Sequence, residues 1–353
     1  MIAQLKRGYH LLATRPKFRV ALQATVSLIL IVLLIILAQR SRMLDSLGAI
    51  SLDAIVNGVA LLSVAYMLNS GRWLLLLRNA GVRERLSNLV GLYFIGQFFS
   101  LFLPTGAGGD AVRMYDVARR SKMPAQTIMA TLQERLFGLA ASLLIGLVAT
   151  LYYLPLVPAQ LRIWAVAIQI VGGIGVSLLV YPSLFFGVIR RIWQTHGHRP
   201  SLQRIAARPL VVRSIAALGP IAELPPLKSI RFLLLLGLAG LGVLLGIATY
   251  YVLGRSLQIE ADFLVFCTVV PLVWISRMAP ISLNGLGVGE GAFVFLMSLF
   301  GAPSGKSLAL ALAFFALQTG LALFGGLLLA WRMLRGTWSP PRPIAAPAEG
   351  EAT

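Results

Sequence analysis

Apolar runs long enough to cross a bilayer recur along almost the whole chain, separated by short connections that carry the charge. The main runs fall at residues 20–38, 53–70, 87–103, 127–153, 163–188, 231–253, 262–279 and 307–331. A helix needs roughly 20 such residues to cross a hydrocarbon core of ~30 Å, so these runs read as transmembrane helices. Two shorter stretches accompany them: 106–122, which follows Pro104, and 280–300, glycine-rich before an apolar end. The pattern predicts an all-α polytopic membrane protein with about eight transmembrane helices and two Gly/Pro-interrupted re-entrant hairpins.

Composition agrees. Hydrophobic residues make up 58% of the 353-residue chain and charged residues 12%, about half the charged share of a soluble domain. The net charge of +19 sits between apolar runs, with no basic face separable from them. It therefore speaks for topology and anionic lipid, and against nucleic acid as a partner. The single cysteine, Cys267, lies in an apolar run and reads as a small buried hydrophobe. His196 and His198 share a polar loop without further ligands, so no metal and no cofactor is expected. No cleavable signal peptide is evident before Arg40.

Cations in the connections set an orientation. Basic residues crowd 1–19, the connection from Arg72 to Arg85, the positions from Arg119 to Lys122, the 189–230 loop and the end of the last run; these are assigned to the cytoplasm. The opposite side receives Arg40, Arg42, Arg162, Arg255 and Lys306, while Arg113, Arg135 and Arg277 fall at membrane depth. On this assignment 87–118 must enter and leave on the cytoplasmic side, and 262–300 must do so on the other. Each half then holds one interrupted hairpin facing the opposite way, the signature of an inverted repeat with a binding site at the breaks. The organisation expected is a basic cytoplasmic N-terminus (1–19), a transmembrane domain (20–333) and a disordered, proline-rich tail (334–353). The setting expected is a bacterial cytoplasmic membrane with both termini inside.

The breaks carry the chemistry. The first runs from Pro104 through Gly106, Gly108 and Gly109 to Asp110 and Arg113; the second runs from Pro280 through Gly285, Gly287 and Gly289 to Glu290. Proline stops a helix and glycine permits tight non-helical backbone, so Pro104–Gly109 and Asn284–Gly289 are expected to be non-helical. Asp110 and Arg113, one turn apart, read either as a helix cap with a local ion pair or as part of an anion site. Glu134 and Arg135 lie inside a long apolar run. They point about 100° apart on a helix, so each needs a partner elsewhere: Arg113 for Glu134, and Glu290 for Arg135. Arg72 and Arg277 read as snorkelling anchors at segment ends, and Trp73, Trp164, Trp193, Trp274 and Trp331 as an interfacial belt. The glycine patterns at 285–290 and 301–307 resemble nucleotide-binding loops, but no strand precedes either, and both are set aside. Arg113, Glu134, Arg135 and Glu290 are expected to converge on one cavity between the halves, because isolated charges at depth cost at least ~2.5 kcal/mol each.

Together these stretches resemble the transmembrane domain of the lysylphosphatidylglycerol synthases, a flippase-like family. The resemblance rests on Phe102–Arg113 (LP-x-x-x-G-[DE]-x-x-R), Leu132–Gly138 (x-E-R-[LI]-x-D, with Gly138 at the acid) and Pro280–Glu290 (P-x-x-x-G-G-[LI]-G-x-x-E, with Asn284 at the first glycine). It spans about residues 20–333. It implies lipid handling, and the leading expectation is a lipid flippase or transporter that moves a polar or anionic-headgroup lipid (phospholipid, aminoacyl-phospholipid, hopanoid or polyprenyl-linked) across the cytoplasmic membrane, with lipid-biosynthetic enzymes as further partners. The two-part synthases attach lysine with a separate soluble domain, so lysyltransferase activity, and any catalytic residue, is not expected here. The rival reading is a membrane-embedded transferase, or an accessory or scaffold subunit of a lipid or glycan biosynthesis complex.

Overall fold

The computed structural model describes residues 48–102, 108–154, 229–277, 285 and 287–336, with a few positions between 163 and 173. The expected spans at 20–38 and 163–188, the turn at 103–107 and the loop and tail at 189–228 and 337–353 lie wholly or largely outside these residues. The described residues form eight helices: α1 Leu52–Asn79, α2 Leu86–Phe102, α3 Gly108–Ser121, α4 Pro124–Tyr152, α5 Ser229–Ser256, α6 Phe263–Arg277, α7 Val288–Ser298 and α8 Ser304–Leu334.

Four of these, α1, α4, α5 and α8, are long and apolar enough to cross a membrane. The other four are shorter, at 17, 14, 15 and 11 residues. The order long–short–short–long therefore occurs twice, as α1–α4 and as α5–α8. The outward surface is apolar: Leu52, Val56, Val148, Leu151, Leu233, Leu234 and Leu327 are exposed along the long helices, as helices facing lipid require.

Contacts at the helix ends define two poles. Ser256 Oγ at the end of α5 accepts from Ser51 N at the start of α1 (2.8 Å), and Arg231 reaches Asn79 at the other end of the same pair (3.4 Å). Lys306 Nζ at the start of α8 donates to Gln258 O beyond α5 (3.1 Å). Arg332, near the end of α8, donates to Asn88 O at the start of α2 (3.4 Å). Thus α2 begins at the pole where α1 ends, and α3 leads straight into α4 at that pole. At the opposite pole, Tyr153 beyond α4 donates to Asp262 before α6 (3.3 Å), and its ring packs 5.7 Å from Phe300, which follows α7. The pair α2–α3 starts and ends at one pole, α6–α7 at the other. Arg78, Arg119, Arg120, Arg332 and Arg335 lie at the first pole, and Arg255 and Lys306 at the second.

Local sequence explains the boundaries. Ser51 caps α1, accepting Ala54 N at 3.3 Å. α1 stops before Gly81, whose φ of +86° glycine adopts freely, and Val82 N then closes on Leu77 O at 2.8 Å. Pro124 starts α4, where its missing N–H costs nothing. Tyr250 of α5, fully buried, stacks on Phe314 of α8 and Phe293 of α7, with centroids 3.8 and 5.2 Å away, and ties the second group together.

Several expectations change. The run placed at 53–70 continues as helix to Asn79, because Arg72 is buried and paired rather than snorkelling. Gly108 and Gly109 are not part of the non-helical break; they form the first turn of α3. Gly289 likewise sits inside α7. Gly109 serves close packing: a Cβ there would collide with Gly96 O of α2, and one at Gly96 would lie 3.0 Å from Gly109 O. Gly325 of α8 stands against Phe94 O of α2 in the same way. Small residues that let backbones touch are the usual adhesive between helices in lipid, where no hydrophobic driving force separates helix from solvent.

Gly96→Val and Gly325→Val should each lower the stability of the purified protein by about 1–3 kcal/mol, read as a reduced melting temperature in detergent. Gly240→Val, at a position with open space around it, should not.

Candidate functional site

The first group of helices links five charges that alternate in sign. Glu134, nearly three turns into α4, accepts from Arg72 Nη2 of α1 on Oε1 (2.7 Å) and from Arg113 Nη2 of α3 on Oε2 (2.5 Å). Arg113 Nε donates to Asp110 Oδ1 at 2.8 Å, and Asp110 Oδ2 accepts from Arg135 Nε. The chain Arg72–Glu134–Arg113–Asp110–Arg135 holds three guanidiniums and two carboxylates, a net charge of +1. Arg72, Arg113 and Glu134 are each 3% exposed, while Arg135 is exposed.

Helix geometry explains how adjacent residues serve one network. Glu134 and Arg135 point apart, so Glu134 turns inward to Arg72 and Arg113 while Arg135 reaches around to Asp110. Ten residues beyond Pro124, Glu134 lies about 15 Å along α4 from the basic pole. Buried ion pairs repay the loss of water only when hydrogen bonds are well placed. Here both Glu134 oxygens are occupied, and Arg113 lies between two rings, 4.6 Å from Trp73 and 4.8 Å from Tyr93. Trp73 is itself fixed by Nε1 donating to Thr131 Oγ1 at 2.9 Å. Two donors in this setting, Arg72 Nε and Arg113 Nη1, are buried and have no hydrogen-bond partner among the described residues. A Cβ at Gly138 would lie 3.5 Å from Arg72 Nη2. An acid at 138, as in the motif quoted above, would thus stand beside Arg72; glycine there leaves the positive excess.

The second group carries its own centre. Arg277, at the end of α6, donates from Nη2 to Glu290 Oε1 at 2.8 Å, and Glu290 Oε2 accepts Gly287 N at 2.6 Å, back-capping α7. Gly285 and Gly287 have φ of +72° and +83°, which glycine adopts without strain. The Arg277 side chain lies directly against Gly285 and Gly289, so side chains at those positions would displace it.

The sequence-derived site residues divide accordingly. Asp110, Arg113, Glu134 and Arg135 meet as one network, with the expected Arg113–Glu134 pair present. Gly108 and Gly109 adjoin it in the first turn of α3, and Gly106 lies outside the described residues. Gly285, Gly287, Gly289 and Glu290 form the second centre. The expected pairing of Arg135 with Glu290 does not occur: Arg135 binds Asp110 and Glu290 binds Arg277, each choosing an acid or base of its own helix group. The described ion pairs thus form two centres, one in each helix group. Arg72 and Arg277, read as anchors, are central members, and Trp73 packs under Arg113 instead of joining an interfacial belt. The signal for Arg72 was the apolar run Trp73–Leu77, which carries the helix past it. Among the belt tryptophans described, Trp331 is exposed, with Arg335 4.1 Å over its ring, and Trp274 is half-buried against Gly246.

This is a helical membrane protein built around buried charge. The chain belongs to the lysylphosphatidylglycerol synthase TM region family, whose model matches residues 20–326. It is also similar to the glycosyltransferase AglD of Haloferax volcanii, 32% identical over 161 residues, an alignment covering 42% of this chain and 26% of that relative. No solved structure matches. The family is one of membrane-embedded, lipid-related proteins.

Glu134→Ala should destabilise the protein by about 3–5 kcal/mol, the usual cost of stranding buried partner charges. Glu290→Ala should cost less, because the Arg277 side chain is 18% exposed whereas Arg72 and Arg113 are buried. Denaturation of both variants in the same detergent checks the order.

Proposed function

We propose that the protein moves a lipid with a polar or anionic head group across the cytoplasmic membrane. The observation that carries this reading is the alternating network around Glu134, with two buried guanidinium donors, Arg72 Nε and Arg113 Nη1, that have no partner among the described residues. Buried guanidinium nitrogens with no partner among the described residues suit a ligand that brings its own negative charge.

The reading extends to architecture. The groups α1–α4 and α5–α8 are proposed to be an inverted repeat, and α2–α3 and α6–α7 to be re-entrant hairpins reaching in from opposite sides. The matching order of helix lengths and the opposite poles at which the short pairs begin support this. Alternating access then follows. The α2–α3 hairpin opens Arg113 and Arg135 toward the basic pole, and the α6–α7 hairpin opens the Arg277–Glu290 centre toward the other. Asp110, Glu134 and Glu290 hold the cations in place between turnovers, and acceptance of a lipid phosphate by Arg113 loosens its hold on Glu134. The basic pole is placed in the cytoplasm of a bacterial inner membrane, with both chain termini on that side.

A second reading, an accessory subunit of a membrane glycan- or lipid-modifying complex, is favoured by the match to a protein named as a glycosyltransferase. One experiment separates them. In proteoliposomes containing fluorescent phosphatidylglycerol, the purified chain should accelerate loss of inner-leaflet protection from an impermeant quencher. Arg113→Ala should abolish that acceleration while still inserting, and Arg113→Lys should restore part of it, since an ammonium lacks the planar fork. No movement by the intact chain alone would favour the accessory reading.

A further inference from the structure

A pocket rich in arginine lies at the basic pole, outside the buried network. The segment leading into α2, the first turn of α2 and the last turn of α3 surround an open pocket of about 400 Å³ lined by Arg83, Glu84, Arg85, Asn88 and Arg120. Its single acid is already engaged: Glu84 Oε2 accepts from Asn88 Nδ2 at 3.0 Å. Arg120 holds Asp116 at 2.6 Å from one nitrogen, leaving further donors of its five. Arg332 of α8 donates to the backbone oxygen of Asn88, one of the lining residues, and feels the charges of Arg120, Asp116 and Glu84. Three arginines around one concave space of this size match the geometry of a phosphate-bearing head group.

Two features place the pocket on a lipid route. Leu86, the first residue of α2, is 46% exposed beside the arginines, so the site is basic with an apolar neighbour, as an amphiphile requires. From Arg120 a charged stripe, Asp116 then Arg113, runs along one face of α3 to the buried network. The seven residues from Arg120 back to Arg113 cover only about 10 Å.

We propose that the Arg83–Arg85–Arg120 pocket binds the phosphate of an anionic lipid head group before it reaches Arg113. The lipid part of this rests on the transport reading above; the phosphate chemistry does not. Calorimetric titration of the purified full chain in detergent with short-chain phosphatidylglycerol should show saturable binding. Arg83→Gln combined with Arg85→Gln should weaken it at least tenfold, whereas Arg255→Gln, which removes an exposed cation at the opposite pole, should leave it unchanged. Competition names the source of the anion. If inorganic phosphate or glycerol 3-phosphate displaces the lipid at equal concentration, the pocket takes the free anion; if neither does, it requires the lipid. Arg113→Ala should lose transport and keep this binding, so failure of the transport reading leaves the pocket measurable. Unchanged affinity in the Arg83/Arg85 double variant, or loss of binding in Arg113→Ala alone, would overturn the proposal.

Discussion

A guanidinium or carboxylate withdrawn from water into an apolar helix bundle must find an opposite charge, and that need organises the first half of this protein. Glu134 satisfies two arginines from two other helices, Arg72 on α1 and Arg113 on α3. Its removal would strand both. The network therefore fixes how α1, α3 and α4 approach, and it is also the most polar place within them. One set of contacts sets both the packing and the chemistry. The aromatic faces of Trp73 and Tyr93 reinforce it by holding the Arg113 guanidinium in a plane.

The second half solves the same problem differently. Its charge pair is local, Arg277 with Glu290, and its glycines are shaped around the arginine side chain. In the first half, Gly109 brings two helix backbones together; in the second, Gly285 and Gly287 supply positive φ and Gly289 makes room for Arg277. The two centres thus arise from breaks of similar composition whose glycines do different work. Two centres, each closer to a different pole, suit stepwise passage of a charged group better than a single midplane site would, since neither has to be open to both sides.

Much of the helical layout was legible because long apolar runs with few charges have few alternatives. The runs at 127–153, 231–253 and 307–331 reappear within a few residues as α4, α5 and α8. The pair Arg113–Glu134 was legible too, from the cost of leaving either alone. What the pattern hid was which charge inside an apolar run is paired. Arg72 looked like an end because a charge usually marks one, and only the position of Glu134 across the bundle reveals otherwise. The exchange of partners by Arg135 and Glu290 was hidden for the same reason: chain distance says nothing about which acid lies nearest in space. Gly108 and Gly109 looked like turn residues, yet they are helical because the partner helix, rather than the local backbone, demands their small size.

The central claim is that two halves of one chain present their charged breaks from opposite sides of the membrane. Sided labelling tests it most directly, because the one native cysteine, Cys267, is buried. Cysteine introduced at Arg119, at the end of α3, should be protected from an impermeant maleimide in intact cells and react after permeabilisation. Cysteine introduced at Glu260, just before α6, should react in intact cells. Labelling of both positions from the same side would contradict the account.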